Sequence, residues 1–306
     1  MMPAAVRSYC SALLWSGVRR AISMPLGLRA VNRLHRRLGA AARRRFYYLC
    51  FDETCGVEGG WTVDFAGRRL VLPLHRDFPL GWVFAIGFDG YDPEIHALYE
   101  ALVRGPRPPR VFFDVGASYG LHSLRFLAHG IRAVSFEPNP ACHAFLIECC
   151  ARNGLVPEIH AVAAGARHAM VELAVPGHQT YLGTVVDTVK SAWHDRADVA
   201  RRTVPQITLD GFAEAHGILP DLVKIDAEGS ELAILEGAQV VLEQARPLVV
   251  LESWPDVEQR TRLFDRLAGH RYGLAALAGP PGAGPALGRS AFLSSPAVNF
   301  LARPVP

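Results

Sequence analysis

Asp114, Glu137 and Asp226 are the residues whose types and spacing could do chemistry, because each closes a short apolar run where a buried strand would emerge into solvent. The first run, Val111-Phe112-Phe113-Asp114-Val115, leads into Gly116-Ala117-Ser118-Tyr119-Gly120. Its β-branched and aromatic residues favour a buried strand, and the glycines allow backbone conformations or close approaches that a Cβ would obstruct. Leu121 to His129 reads as a helix. Strand, tight turn and helix N-terminus together present backbone N–H groups to a ligand, as at the opening of doubly wound α/β folds. Twenty-three residues after Asp114, the run Ala133-Val134-Ser135-Phe136 ends in Glu137. A carboxylate at that second strand tip can accept hydrogen bonds from both hydroxyls of a ribose. Either carboxylate alone could merely cap a turn; the two at this interval, with the glycines between them, point to a nucleotide-like ligand.

The details of the turn separate one such ligand from another. A dinucleotide fingerprint places the first glycine of G-x-G-x-x-G immediately after the strand, whereas the order here is Asp114-x-Gly116-x-x-x-Gly120. A carboxylate aimed into the turn would repel a pyrophosphate and attract an amino group and a sulfonium. S-adenosylmethionine is therefore expected in preference to NAD, held by Asp114, Gly116, Ala117, Ser118, Gly120, Glu137, Pro138 and Asp226. Pro138-Asn139-Pro140 ends the second strand and starts a helix, with Asn139 as N-cap and Pro140 in the first helical position. Asn153-Gly154 stops it.

Four passages, DVGASYG at 114–120, SFEPNP at 135–140, TLDGFAEAHGI at 208–218 and DLVKIDAEGSELAILEGA at 221–238, give the chain its likeness to a known family. It resembles the FkbM family of methyltransferases, within the class I S-adenosylmethionine-dependent fold. The last passage is the most specific, because that family typically places a K-I-D-x-E-G-x-E run on and just after its fourth strand. The likeness extends over residues 85 to 302. Ser118-Tyr119 departs from it, standing where the family usually has Asn and a small or aliphatic residue. The resemblance implies O-methylation of a hydroxyl on a sugar, a glycolipid or a polyketide-type secondary metabolite, with a small-molecule or glycan acceptor.

The residues of the KIDAEGSE run make sense by themselves. Leu222 to Asp226 reads as a strand with Leu222, Lys224 and Asp226 on one face. Ser230 suits the N-cap of the next helix, Glu231 its first turn, and Leu232 and Leu235 its apolar face. Of the 32 basic residues only two are Lys, and Lys224 is one of them. An unpaired buried ammonium is costly, so Lys224 should meet Asp114, Asp226 or Glu252. Methyl transfer is an in-line displacement in which the protein positions the acceptor and excludes water. A hydroxyl acceptor also loses a proton, and Asp226 and Glu228 are the expected catalytic pair, orienting the acceptor or serving as base. His122, His178 and His194 are further candidates. No third ligand of diagnostic spacing accompanies Asp226 and Glu228, so no metal is expected. Two alternatives from other classes are a nicotinamide-dependent oxidoreductase on a similar sheet and a protein that binds S-adenosylmethionine without turnover.

Positioning these groups requires a particular set of elements. The chain has 306 residues, half of them apolar, enough for one large α/β domain with additions. The expected architecture is a Rossmann-like, seven-stranded, mostly parallel sheet with helices on both faces, preceded by a helical and β-hairpin extension. Ile159–Ala163, Pro247–Glu252, Arg271–Leu277 and Val298–Ala302 supply its third, fifth, sixth and seventh strands, with a Gly/Pro-rich loop from Gly279 to Gly288. Trp61–Phe65 and Arg69–Leu74 read as a hairpin. Residues 85–104 lead into a helix, followed by a Pro-rich linker, Gly105 to Pro109. Residues 174–204, with His178, Tyr181, Trp193 and His194, lack periodicity and read as an acceptor-binding loop. Three segments result: 1–50, 51–109 and 110–306.

No run of 18 apolar residues exists, so no membrane-spanning helix is expected. The six cysteines lack zinc-like spacing, and a reduced, cytoplasmic protein is the simplest account. The net charge of +3 conceals an asymmetry: residues 1–50 hold ten Arg and no acid, leaving 22 basic against 29 acidic residues, or −7, elsewhere. Leu28, Val31, Leu34 and Leu38 fall on one helical stripe, with Arg29, Arg33, Arg36 and Arg37 largely off it. Such a helix could lie on an anionic membrane surface, dock on the domain, or belong to a solvated or targeting arm. Nucleic acid is not an expected partner, because no aromatic-interleaved or helix-turn-helix pattern accompanies the arginines.

Overall fold

Strands that are apolar on both faces need cover on both sides, which a parallel sheet flanked by helices provides. A computed structural model describes residues 9–177, 179–187, 189, 197–277 and 284–305, with side chains from Leu14 onward. The chain divides into two compact units, Met1–Glu100 with Glu148–Leu155, and Ala101–Ile147 with Val156–Pro306.

In the first unit, helices α1 (Tyr9–Ile22), α2 (Pro25–His35) and α3 (Ala40–Cys50) precede a hairpin of β1 (Gly59–Phe65) and β2 (Arg68–Leu74), then α4 (Leu80–Gly87). The strands pair antiparallel from Gly59 opposite Leu74 to Phe65 opposite Arg68. Both turn residues, Ala66 and Gly67, have positive φ, which matches the twist of a tight two-residue hairpin. The Asn32 side chain donates to the Thr62 carbonyl at 2.8 Å and accepts from the Thr62 N–H at 2.9 Å, docking α2 on β1. His35 lies against Phe46 and Trp61; burial and the Arg43 charge push it down to about 4, so it is neutral. This corrects the expected apolar stripe of α2. Leu28, Asn32 and His35 form the buried side, while Leu34 is exposed. Shape and a polar clasp, rather than a row of leucines, seat the helix.

Helix α5 (Pro93–Arg104) is followed by β3 (Val111–Val115), α6 (Leu121–Leu127), β4 (Arg132–Phe136), α7 (Pro140–Arg152), β5 (Glu158–His160), β6 (Ala163–Ala164), β7 (Ala169–Pro176) and β8 (Val199–Ile207). Then come α8 (Leu209–His216), β9 (Leu222–Ile225), α9 (Glu231–Glu236), β10 (Leu248–Glu252), α10 (Val257–Gly269), β11 (Tyr272–Ala276), α11 (Arg289–Leu293) and β12 (Asn299–Pro304). The main sheet runs β11-β12-β10-β9-β3-β4-β5. Strand β12 is antiparallel to β10 and β11, and the other pairings are parallel. The order reverses between β3 and β9, and the carboxyl ends of strands at such a switch point form a ligand crevice. Phe113, Phe136, Phe212, Ile225, Leu251 and Leu263 belong to the core beneath it. Local caps fix the helices: Thr208 accepts from Gly211 N at 3.0 Å, and Asp256 accepts from Gln259 N at 2.8 Å.

A second sheet, β6-β8-β7, was not expected. It takes up the two ends of residues 174–204, through β7 and β8; β8, VARRTVPQI, reads as loop because it buries only Val204 and exposes Arg201 and Arg202. His178, Trp193 and His194 lie outside the described residues, as do residues 278–283 of the Gly/Pro-rich segment. Among the described residues no helix is long and apolar enough to cross a membrane. Cys50, Cys55, Cys142, Cys149 and Cys150 are buried thiols.

Candidate active site

The turn after β3 is built by close backbone approach. Gly116 and Ala117 donate to the Phe136 carbonyl at 3.0 and 3.1 Å. Gly116 has φ +75°, and a Cβ on it would overlap the Asp226 carbonyl, so this turn and the one after β9 touch only because residue 116 is glycine. Asp114 is wholly buried beside the turn. One carboxylate oxygen accepts from Ser123 N at 2.9 Å and Ser123 Oγ at 2.6 Å, while Oδ1 has no hydrogen-bond partner. Ser123 Oγ is also 2.7 Å from Ser135 Oγ. Burial pushes Asp114 up to about 6 against the pull of Ser123 and Lys224.

Glu137, at the tip of β4, accepts from Ser118 N and Asn139 N, each at 2.7 Å. Burial outweighs these bonds and pushes it up to about 7. Asn139 Oδ1 accepts from Ala141 N at 3.2 Å, and the helix begins at Pro140 as the sequence suggests.

At the tip of β9 the buried Lys224 ammonium donates to Asp226 at 2.9 Å, which answers the requirement that it have a carboxylate. Burial disfavours ionised Asp226, but the Lys224 charge and a hydrogen bond from Glu252 outweigh it and hold the carboxyl low. Glu252 is driven the other way by burial and by the Asp226 charge. The two carboxyls are thus shifted in opposite directions, Asp226 down and Glu252 up. Glu228 occupies a left-handed conformation, φ +48°; burial, Asp226 and Glu231 push it up to about 7, opposed by Lys224. Positive φ at a non-glycine residue stores strain that the surrounding structure must hold. Here Thr184 Oγ1 donates to the Glu228 carbonyl at 2.9 Å, and Glu231 accepts from Ala227 N at 3.2 Å and Gly229 N at 3.1 Å. Ser230 stands at the expected cap position, but its side chain makes no capping bond; Glu231 ties the turn together instead.

Gly116, Ser118, Glu137, Pro138, Asp226 and Glu228 line one cleft. Asp114, Ala117 and Gly120 belong to the strand end and turn beside it. His122 is half-buried, and desolvation with the Lys224 and Arg125 charges holds it well below the ordinary histidine range. Thr180, Tyr181 and Gly183 cover the cleft, which encloses about 50 Å³. The cover is held by the Tyr119 hydroxyl on Thr180 Oγ1 and by Asn139 Nδ2 donating to the Thr180 carbonyl at 3.0 Å. Glu252 carries the same signal as the other tips, an apolar strand ending in an acid, and was considered only as a partner for Lys224. Thr180 carries no signal in the sequence. Among the described residues no group of three or more His, Cys, Asp or Glu could hold a metal ion.

A seven-stranded sheet with one antiparallel strand, a glycine turn after β3 and acidic tips on β4 and β9 define a Rossmann-like class I methyltransferase fold. The sequence matches the methyltransferase FkbM domain over residues 114–272, just over half of the chain, and the protein belongs to that family. This sets aside the nicotinamide alternative. Among solved structures, the methyltransferase FkbM from Methylobacillus flagellatus KT is similar at 18% identity and a TM-score of 0.41, covering 63% of this chain and 43% of its own. This chain thus spans less than half the length of that relative. An O-methyltransferase from Bacillus cereus in complex with SAH is 14% identical, with a TM-score of 0.38, covering 71% of this chain and 81% of its own. The T. thermophilus 16S rRNA N2 G1207 methyltransferase, in complex with AdoMet and guanosine, is 15% identical with a TM-score of 0.43, covering 81% of this chain and 50% of its own. No functionally curated protein matches the sequence.

Proposed function

We propose that the protein is an S-adenosylmethionine-dependent methyltransferase that O-methylates a hydroxyl of a sugar, glycolipid or secondary metabolite, a small-molecule or glycan acceptor rather than a nucleic acid. The observation that carries this reading is the convergence of Glu137, Asp226 and Glu228 on one cleft beside the glycine turn. A polyanionic ligand would be repelled by this set, whereas a cofactor with an amino group, a sulfonium and a ribose suits it. The unpartnered Asp114 Oδ1 beside the turn adds to the acidic character of the site.

When bound, S-adenosylmethionine supplies a methyl group activated by its sulfonium. Glu137 is positioned to accept from the ribose hydroxyls, and the turn from Gly116 to Gly120 forms the wall beside them. Asp226, kept ionised by Lys224, orients the acceptor hydroxyl. Glu228 takes the hydroxyl proton; a carboxylate pushed up to about 7 is a better base at neutral pH than an ordinary one. Pockets that hold ligands of drug size enclose roughly 300 Å³ or more, so the segment bearing Thr180 and Tyr181 moves outward on binding.

The test is titration calorimetry with S-adenosylmethionine, together with an acceptor screen that scores S-adenosylhomocysteine release by wild type and Asp114→Ala in parallel. Wild type should bind the cofactor, and release should depend on a hydroxyl-bearing acceptor and fall in the variant. Binding without release on any acceptor would favour the non-catalytic alternative, and absence of binding would overturn the reading.

A further inference from the structure

Six arginines on and around helices α1 to α3 form two sets of three. Arg19, Arg36 and Arg43 pair with Asp52, Asp64 and Asp89 at 3.4, 2.7 and 2.6 Å. Arg29, Arg33 and Arg37 are exposed and meet no carboxylate among the described residues. On and just past α2 these three share a side with two exposed leucines: Leu26 is 80% and Leu34 64% exposed. At 100° per residue, positions 26, 29, 30, 33, 34 and 37 span an arc of about 140°, opposite the buried side of Leu28, Asn32 and His35. Met24, in the turn before the helix, is 62% exposed as well.

We propose that this face of α2 docks on an anionic membrane surface. A helix face that interleaves cations with large apolar side chains satisfies both in the headgroup region, where arginine meets lipid phosphate and leucine enters the acyl boundary. Charge complementarity fixes the sign of the partner, since residues 1–50 hold ten Arg and no acid. The leucines fix its kind, because a nucleic-acid backbone offers them nothing, whereas a bilayer rewards their burial. The surface differs from the amphipathic stripe read from the sequence, because Leu28 is buried within the unit and Leu26 takes its place outside. The inference goes beyond the proposed methyl transfer and does not depend on it.

The experiment uses the full chain without cofactor or acceptor, so its outcome is separate from that of the catalytic tests. Sedimentation is measured with vesicles of phosphatidylcholine alone and of phosphatidylcholine with phosphatidylglycerol. Wild type should sediment with the mixed vesicles only. Replacing Arg29, Arg33 and Arg37 together by Gln should weaken apparent affinity about a hundredfold, from roughly a fivefold loss for each surface cation. Leu26→Ser with Leu34→Ser should weaken it by about tenfold or more. Both variants change exposed side chains, and their thermal unfolding should match wild type. Wild type remaining in the supernatant with mixed vesicles would overturn the proposal, as would undiminished binding by the Gln variant. Undiminished binding by the Ser variant would also overturn it, and would mark a surface that reads phosphate charge alone, as a nucleic-acid site does.

Discussion

Glu137 and Asp226 stand at the tips of two strands of one sheet and line one cleft, yet their ionisation is set in opposite directions. Glu137 is satisfied by two backbone N–H groups and is still pushed up to about 7. Asp226 meets the Lys224 ammonium and is held low. Burial disfavours the charge on both; what differs is whether a full positive charge opposes it. A carboxylate bound by neutral donors keeps lone pairs for further hydroxyl donors. One paired with lysine supplies a fixed negative charge. In the function proposed above, Lys224 tells the cofactor end of the cleft from its reaction end.

Removing that cation is the strongest way to break the contrast. Lys224→Met leaves Asp226, Glu228 and Glu252 with no buried cation, and breaking a buried pair costs about 3–5 kcal/mol. Denaturant titration should show a loss of that order and methyl transfer should vanish. The two tips also predict opposite pH dependence of stability. Asp226 is depressed in the fold, so its contribution is present above its unfolded value and lost as pH falls through the folded one. Glu137 and Glu228 are raised, so the fold favours their protonated forms and loses that support as pH climbs towards about 7. Lys224→Met should weaken the acid limb of the stability curve selectively.

Glu228→Gln tests the base. General-base catalysis is worth about a hundredfold or more, so kcat should fall by at least that much while the affinity for S-adenosylmethionine stays within about threefold, under 1 kcal/mol. In wild type kcat should rise with pH up to about 7, as Glu228 loses its proton, and the variant should lose this limb. A limb that survives in Glu228→Gln would transfer the role to another group. A smaller effect is expected at the other tip. Glu137→Gln keeps the shape and removes the charge, weakening its bonds to ligand hydroxyls by about 1.5 kcal/mol, or roughly tenfold in Kd, with kcat at saturation little changed. Calorimetry and saturation kinetics separate the two.

Most of this contrast was legible in the chain, and for a physical reason. A parallel strand buried on both faces is a dense apolar run, and an acid at its end has no structural reason to be there, so Asp114, Glu137, Asp226 and Glu252 mark the carboxyl edge of the sheet directly. A lone lysine in such a run, Lys224, foretold a carboxylate partner. What sequence did not reveal depends on long-range packing. The upward shift of Glu252 follows from its burial and from the Asp226 charge, not from its own neighbours in the chain. Strand β8 was invisible because its surroundings leave most of its side chains in solvent, and α2 was misread because polar Asn32 and His35, not Leu34, face inward. The Thr180 contact joins residues 61 positions apart, with no periodicity to announce it.

Tyr119, the position that departs from the family's usual turn, sharpens the comparison last and most gently. Its phenol, kept neutral because burial raises its pKa, bonds Thr180 and ties the cover to the Glu137 side of the cleft. On the Asp226 side the same segment is tied by Thr184 to the Glu228 carbonyl. Tyr119→Phe removes the phenol's bond and leaves those of Asn139 and Thr184, at a cost of about 1 kcal/mol to the closed form. Stopped-flow mixing with S-adenosylhomocysteine should then show association faster by about fivefold, with Kd lowered by no more than that factor and the pH limb of kcat unmoved. Unchanged association in Tyr119→Phe and in Tyr119→Phe with Asn139→Ala, which removes the other tie to Thr180, would mean that the cover opens from the Thr184 side, placing the entry route beside Asp226 and Glu228 instead of beside Glu137.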